Sequence, residues 1–174
     1  YAWIALFLAI LIFGMETTFF RFSEKENSNK VFRNAETFIL LITTIFLVAY
    51  CLLYESFATL IHYQFNTHYV LLIGIIVALD AIAAVPFAIL RKENNAKRFS
   101  LIKILNVTTN IFFNILFIVI IPEKAMYIAE IIFGEQTSLL IWVLISNILA
   151  SLLNIILLTP QLSKLKLGFD KDLI

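Results

Sequence analysis

The stretch VLLIGIIVALDAIAAVPFAIL, Val70 to Leu90, holds 21 residues and a single charged side chain, Asp80. It is far longer than a globular strand and lacks the alternation of a membrane strand. About 20 mostly apolar residues make a helix long enough to cross a hydrocarbon core of about 30 Å. With Tyr69 it forms the third of five such blocks, at 1–20, 37–54, 69–90, 104–121 and 138–159. The second, fourth and fifth carry no charge at all. A chain that is 61% hydrophobic and only 14% charged, with its apolar residues gathered in blocks, is expected to be an all-α, polytopic membrane protein with five transmembrane helices.

The charges between the blocks are sided. Twelve of the thirteen Lys and Arg residues lie in segments 21–36, 91–103 and 160–174. The other two connections hold only Lys124. Five alternating crossings bring the three basic segments to one face, and the positive-inside rule makes that face cytoplasmic. The chain is expected to start outside and end inside. The outer segment 122–136 carries Glu123, Tyr127 and Glu130 on one helical face and Met126, Ala129 and Phe133 on the other, the pattern of a short helix lying on the surface. The first block lacks a basic leader and a small-residue cleavage site, so no signal peptide is expected. Opening on Tyr1 inside an apolar block suggests a piece of something longer.

Composition excludes several classes. A net charge of +1 offers no nucleic-acid partner. Cys51 is alone, so no internal disulfide can form, and an apolar setting is expected for it. His62 and His68 are six apart without cysteine or carboxylate at ligand spacing, so no metal site is expected. Phosphate loops and the common hydrolase motifs are absent, and no cofactor or covalent chemistry is expected.

The polar residues inside the apolar blocks are the functional candidates. An aspartate at a helix centre costs about 2.5–3.5 kcal/mol to insert, so Asp80 calls for a role in holding a proton or Na⁺, or for a hydrogen-bond partner on another helix. Ala84 and Ala88 follow on its face and permit close helix approach. Pro86 cannot donate to the Ile82 carbonyl, so a kink is expected one turn away. Asn106, Asn110 and Asn114 stand at i, i+4, i+8, with Lys103 just below them; Asn147, Ser151 and Asn154 stand at i, i+4, i+7. Two neighbouring helices thus carry polar stripes, suited to interhelical hydrogen bonds or to a hydrated wall that contacts sugar hydroxyls. Glu16 and Arg21 mark a polar mouth at the inner end of the first block. Arg91 lies about three turns beyond Asp80 on nearly the same face. Arginines at such a rim suit a phosphate or lipid head groups.

GMETTFFRF, Gly14 to Phe22, resembles the motif at the cytoplasmic end of the second helix in bacterial polysaccharide-biosynthesis membrane proteins. These are the O-antigen and exopolysaccharide flippases of the multidrug/oligosaccharidyl-lipid/polysaccharide (MOP) exporter superfamily. ALDAIAAVPFAILRKENNAKRFSLIKILNVTTNIFFNILF, Ala78 to Phe117, is similar to the part that follows there, and ISNILASLLNIILLTP, Ile145 to Pro160, to the sixth helix. The resemblance implies a partial MATE-like helical bundle. The chain would be helices two to six of an N-terminal bundle, with the first helix and the second bundle missing and the two bundles rocking about a central cavity. It implies a polyprenyl-diphosphate-linked oligosaccharide moved from the inner to the outer leaflet of the bacterial cytoplasmic membrane. Asn106, Asn110, Asn114, Asn147 and Asn154 would contact sugar, Arg21 and Arg91 the diphosphate, and Asp80 with Glu16 a coupling H⁺ or Na⁺. Such flippases often use deep cations for the diphosphate, and these five blocks contain none.

Three other readings compete. A multidrug and toxin extrusion antiporter of the same fold would use Asp80 to exchange Na⁺ or H⁺ for organic cations. A membrane-embedded glycan polymerase or ligase would need large outer loops with arginine or histidine, and the outer connections here are short and lack arginine. A structural module without cargo would tolerate Asp80→Asn.

Overall fold

A computed structural model describes residues 2–60, 67–134 and 138–163. Among them the chain is helical without strands: α1 Ala2–Ile12, α2 Met15–Ser23, α3 Ser28–Leu60, α4 Thr67–Lys92, α5 Ala96–Ile115 with a π-helical extension Leu116–Ile120, α6 Pro122–Phe133 and α7 Leu140–Leu162. Five segments are long and apolar enough to cross a membrane: Ala2–Ser23, Ser28–Leu60, Thr67–Lys92, Ala96–Ile120 and Leu140–Leu162. The protein is an all-α, multi-pass membrane protein.

The helices overrun the apolar blocks because a helix does not stop where hydropathy falls. The 33 residues of α3 span about 50 Å at 1.5 Å each, well beyond the hydrocarbon core. Its first turns come from the segment expected to be a connection, 21–36. The first block is not one helix. Phe13 and Gly14 have φ of 45° and 68°, which ends α1 and starts α2. The break frees backbone groups that lipid cannot satisfy. The Thr17 hydroxyl donates to the Gly14 carbonyl at 2.6 Å, and the Thr18 N–H donates to the same oxygen at 3.0 Å. Glu16 therefore sits in the first turn of α2, where the helix dipole favours a carboxylate.

The apolar clusters follow an up-and-down topology. Phe19 at the end of the first span packs with Val31 and Phe32 at the start of α3 and with Val85 and Ile89 near the end of α4. Leu90, Ile102 and Leu158 meet at the same end of the bundle. At the opposite end Tyr69 and Leu72 of α4 pack with Ala125 and Ala129 of α6 and Ile141 and Trp142 of α7. Segments 21–36 and 91–103 and the end of α7 thus share one end, as the charge pattern requires. α4 is the central helix. Its face toward the bundle is buried almost continuously from Ala83 to Leu90, Pro86 included, and the helix runs through Pro86 unbroken.

Gly74 allows a close approach of α4 to α3. A Cβ there would lie 2.4 Å from two ring carbons of Tyr50, whose hydroxyl donates to the Val70 carbonyl at 2.8 Å. Around Tyr50, Phe7, Phe46 and Phe57 lie with centroids 5.2–6.1 Å away, in the range of favourable aromatic pairs. At the α6 end, the Trp142 indole donates to the Ala125 carbonyl at 3.1 Å and stacks on Phe117 at 4.2 Å. A helix is present where the surface helix was expected, α6, with Tyr127 exposed and Ala125 and Ala129 buried.

Candidate functional site

The polar residues of α4, α5 and α7 form one seam. Asp80 on α4 is partly buried, and its Oδ1 accepts from the Ser151 hydroxyl of α7 at 2.7 Å. One turn before Ser151, Asn147 accepts through Oδ1 from the Asn110 side-chain amide of α5. The Asn114 amide donates to Asn110 Oδ1 at 2.6 Å and to the Asn110 carbonyl at 2.9 Å. Asn106 donates to the Ala150 carbonyl at 2.9 Å. The i, i+4, i+8 spacing on α5 and the i, i+4 spacing on α7 bring these side chains face to face. Asn106, Asn110 and Asn147 are thus interhelical ties, while Asn114 bonds back within α5. The Oδ1 atoms of Asn114 and Asn154 are buried without a hydrogen-bond partner, so the seam retains free acceptors. Asn154 does not join the chain of amides, although it lies on the same helix face.

Charge gathers at the basic end of the seam. Arg91 on α4 donates to Glu16 Oε2 on α2 at 2.5 Å. Its guanidinium also lies 5.5 Å from the Phe20 ring centroid and 5.9 Å from that of Phe99. The pair is part-exposed, with side chains 42% and 34% accessible, so it contributes little to stability and leaves its charges available. Lys103, one turn before Asn106 on α5, holds its ammonium 4.0 Å from the Phe87 ring centroid. Its charged neighbours are Asp80, Glu16 and Arg91. Lys103 thus packs on α4 one turn before Arg91. Arg98 closes the same end by donating to the Leu157 carbonyl at 3.0 Å.

Glu16 and Arg91 therefore come together, whereas Asp80 lies eleven residues before Arg91 on α4, about 16 Å along the axis, and is tied to Ser151. Arg21 does not join. It follows Glu16 by five residues, which is about 140° round the helix, and it is exposed with no hydrogen-bond or ion-pair partner among the described residues. Arg21 and Arg91 both stand exposed toward the basic end, and of the two only Arg91 is ion-paired among the described residues. Pro86 lies in the buried wall of α4 between Asp80 and Arg91. His68 stands in the first turn of α4 with its ring edge-on to Phe133, centroids 5.6 Å apart; His62 lies outside the described residues. Cys51 is free and exposed on α3. Among the described residues no three His, Cys, Asp or Glu side chains converge as a metal site.

No protein-family model, curated protein or solved structure matches the chain. The site is therefore read from its own geometry.

Two residues escaped the sequence pattern. Lys103 falls one position before the fourth apolar block, yet it belongs to a helix that begins at Ala96, inside a candidate span. Glu36 abuts the second block and is completely buried, with both carboxylate oxygens unpartnered. Its signal was there to find. Phe32, Glu36, Ile39 and Thr43 recur at helical spacing, so extending the apolar face of α3 backward places Glu36 within it.

Proposed function

We propose that the chain is part of a membrane transporter that moves a polyprenyl-diphosphate-linked oligosaccharide from the inner to the outer leaflet for cell-surface polysaccharide synthesis. It is a transporter part rather than an enzyme, in a bacterial cytoplasmic membrane, with segments 21–36, 91–103 and 160–174 cytoplasmic. The supporting observation is the seam: amides and the Asp80 carboxylate lie within the bundle on α4, α5 and α7, and Lys103 and Arg91 lie toward its basic end. Lipid-surrounded helices place polar groups on such a line when they face a hydrated path or one another. Amides with spare acceptors suit sugar hydroxyls. Arg91 and Lys103 suit a diphosphate, with Glu16 holding Arg91 until the anion takes its place. Asp80 is the candidate for H⁺ or Na⁺ coupling. The remaining helices of the transporter would complete the cavity wall.

The experiment is purification of the complete transporter in native-like lipid, with mass spectrometry of the co-purifying lipids. A polyprenyl-diphosphate glycan retained by the native protein and lost from Lys103→Gln supports the reading. Absence of that lipid, with binding of an organic cation abolished by Asp80→Asn, refutes it in favour of a multidrug and toxin extrusion antiporter, the reading that an acidic residue in the seam also suits.

A further inference from the structure

Glu36 is the one carboxylate among the described residues that is wholly shut away from solvent. It sits on α3 between Phe32 and Ile39, on the face that packs against Phe19 of α2 and Val85 and Ala88 of α4. Neither carboxylate oxygen has a hydrogen-bond partner. The charged groups of α2 and α4 are engaged elsewhere or exposed. Glu16 of α2 and Arg91 of α4 bind each other. Lys92 of α4 donates to the Ser23 carbonyl and the Ser28 hydroxyl. Asp80 of α4 accepts from Ser151, and Arg21 of α2 is exposed. Lys30 and Arg33 precede Glu36 on α3 and neither is hydrogen-bonded to it. α1 carries no charge.

An ionised carboxylate without a partner in such a place is strongly disfavoured, and the group takes up a proton instead. A metal ion is a poor occupant. It needs several oxygens at once, whereas the other buried, unpartnered oxygen on this face, Thr43 Oγ1, lies seven residues or about 10.5 Å along the axis.

We propose that Glu36 is a proton-binding site, neutral where α4 is closed on the hairpin of α2 and α3, and ionised when the basic end of α4 parts from that hairpin. Loading forms one Oε–H bond with a proton from water at the basic end, and release returns it to water. The site is separate from Asp80, which has Ser151 as hydrogen-bond partner and Lys103 as charged neighbour, and it stands whatever the cargo of the transporter.

The test uses the chain in lipid nanodiscs. The wild type at neutral pH is treated with dicyclohexylcarbodiimide, which attacks protonated carboxyls in apolar surroundings, and the adducts are mapped by mass spectrometry. An adduct on Glu36 is expected, and infrared spectra should show a carboxylic-acid carbonyl band that Glu36→Gln removes and Asp80→Asn leaves. The motion is read by electron–electron distance measurements between spin labels at Leu41 of α3 and Glu93 at the end of α4, both exposed, in a Cys51→Ser background. Raising the pH should lengthen that distance in the wild type and leave it unchanged in Glu36→Gln. Absence of both adduct and band overturns the proton site. An equal pH response in wild type and Glu36→Gln, or none in either, overturns its link to helix separation.

Discussion

Replacing Gly74 by alanine tests the close contact between α3 and α4. The added Cβ would meet two Tyr50 ring carbons at 2.4 Å, where ordinary contact begins near 3.4 Å. Either the ring or a helix must move by about 1 Å. The ring has little freedom: Tyr50 is buried, lies among Phe7, Phe46 and Phe57, and is held by its hydrogen bond to Val70, one turn before Gly74. Overpacking of this kind costs about 1–3 kcal/mol. Losing the Tyr50 bond adds about 1 kcal/mol, and the better helix propensity of alanine offsets about 1 kcal/mol. The net expectation is a destabilisation of about 1–3 kcal/mol. It is measured by reversible unfolding in mixed micelles followed by circular dichroism. The same substitution in a Tyr50→Leu background should cost almost nothing or stabilise slightly. Equal effects of Gly74→Ala in the two backgrounds would refute the close approach.

Three further outcomes are expected. A double-mutant cycle with Asn110→Ala and Asn147→Ala should give a coupling of about 0.6 kcal/mol, and no more than about 1.7 kcal/mol; zero coupling would mean that the α5 and α7 stripes do not meet. In the complete transporter Asp80→Asn should impair transport while membrane insertion and folding persist, because an amide oxygen still accepts from Ser151; a transport assay with full activity would remove Asp80 from the mechanism. Cysteines placed at Ser28 and Asn66 should label from the cytoplasmic and outer sides respectively with a membrane-impermeant maleimide, and the reverse pattern would invert the topology.

The candidate site was partly legible before any coordinates. The asparagine stripes were visible because a helix converts i, i+4 spacing into a shared face, and Asp80 because a lone acid in an apolar run is conspicuous. What each stripe touches was not visible. Asn110 finds Asn147, and Asn106 finds a backbone carbonyl rather than a side chain. Arg91 finds Glu16 across 75 positions of sequence, while Arg21, five residues from Glu16, finds no partner among the described residues. The break at Phe13–Gly14 also went unread, since hydropathy counts side chains and is blind to a positive φ.

The number of spans, their helical nature and the end at which the basic segments gather follow from the sequence alone. Transfer of side chains into hydrocarbon and the excess of Lys and Arg are sums over local residues, and they need no knowledge of neighbours. The seating of Lys103 on Phe87, the Glu16–Arg91 pair, the closure of Gly74 on Tyr50 and the isolation of Glu36 were decided by tertiary structure. Each depends on which helix faces which, and at what distance. A carboxylate at the edge of an apolar block reads as a surface charge until the helices on both sides close over it.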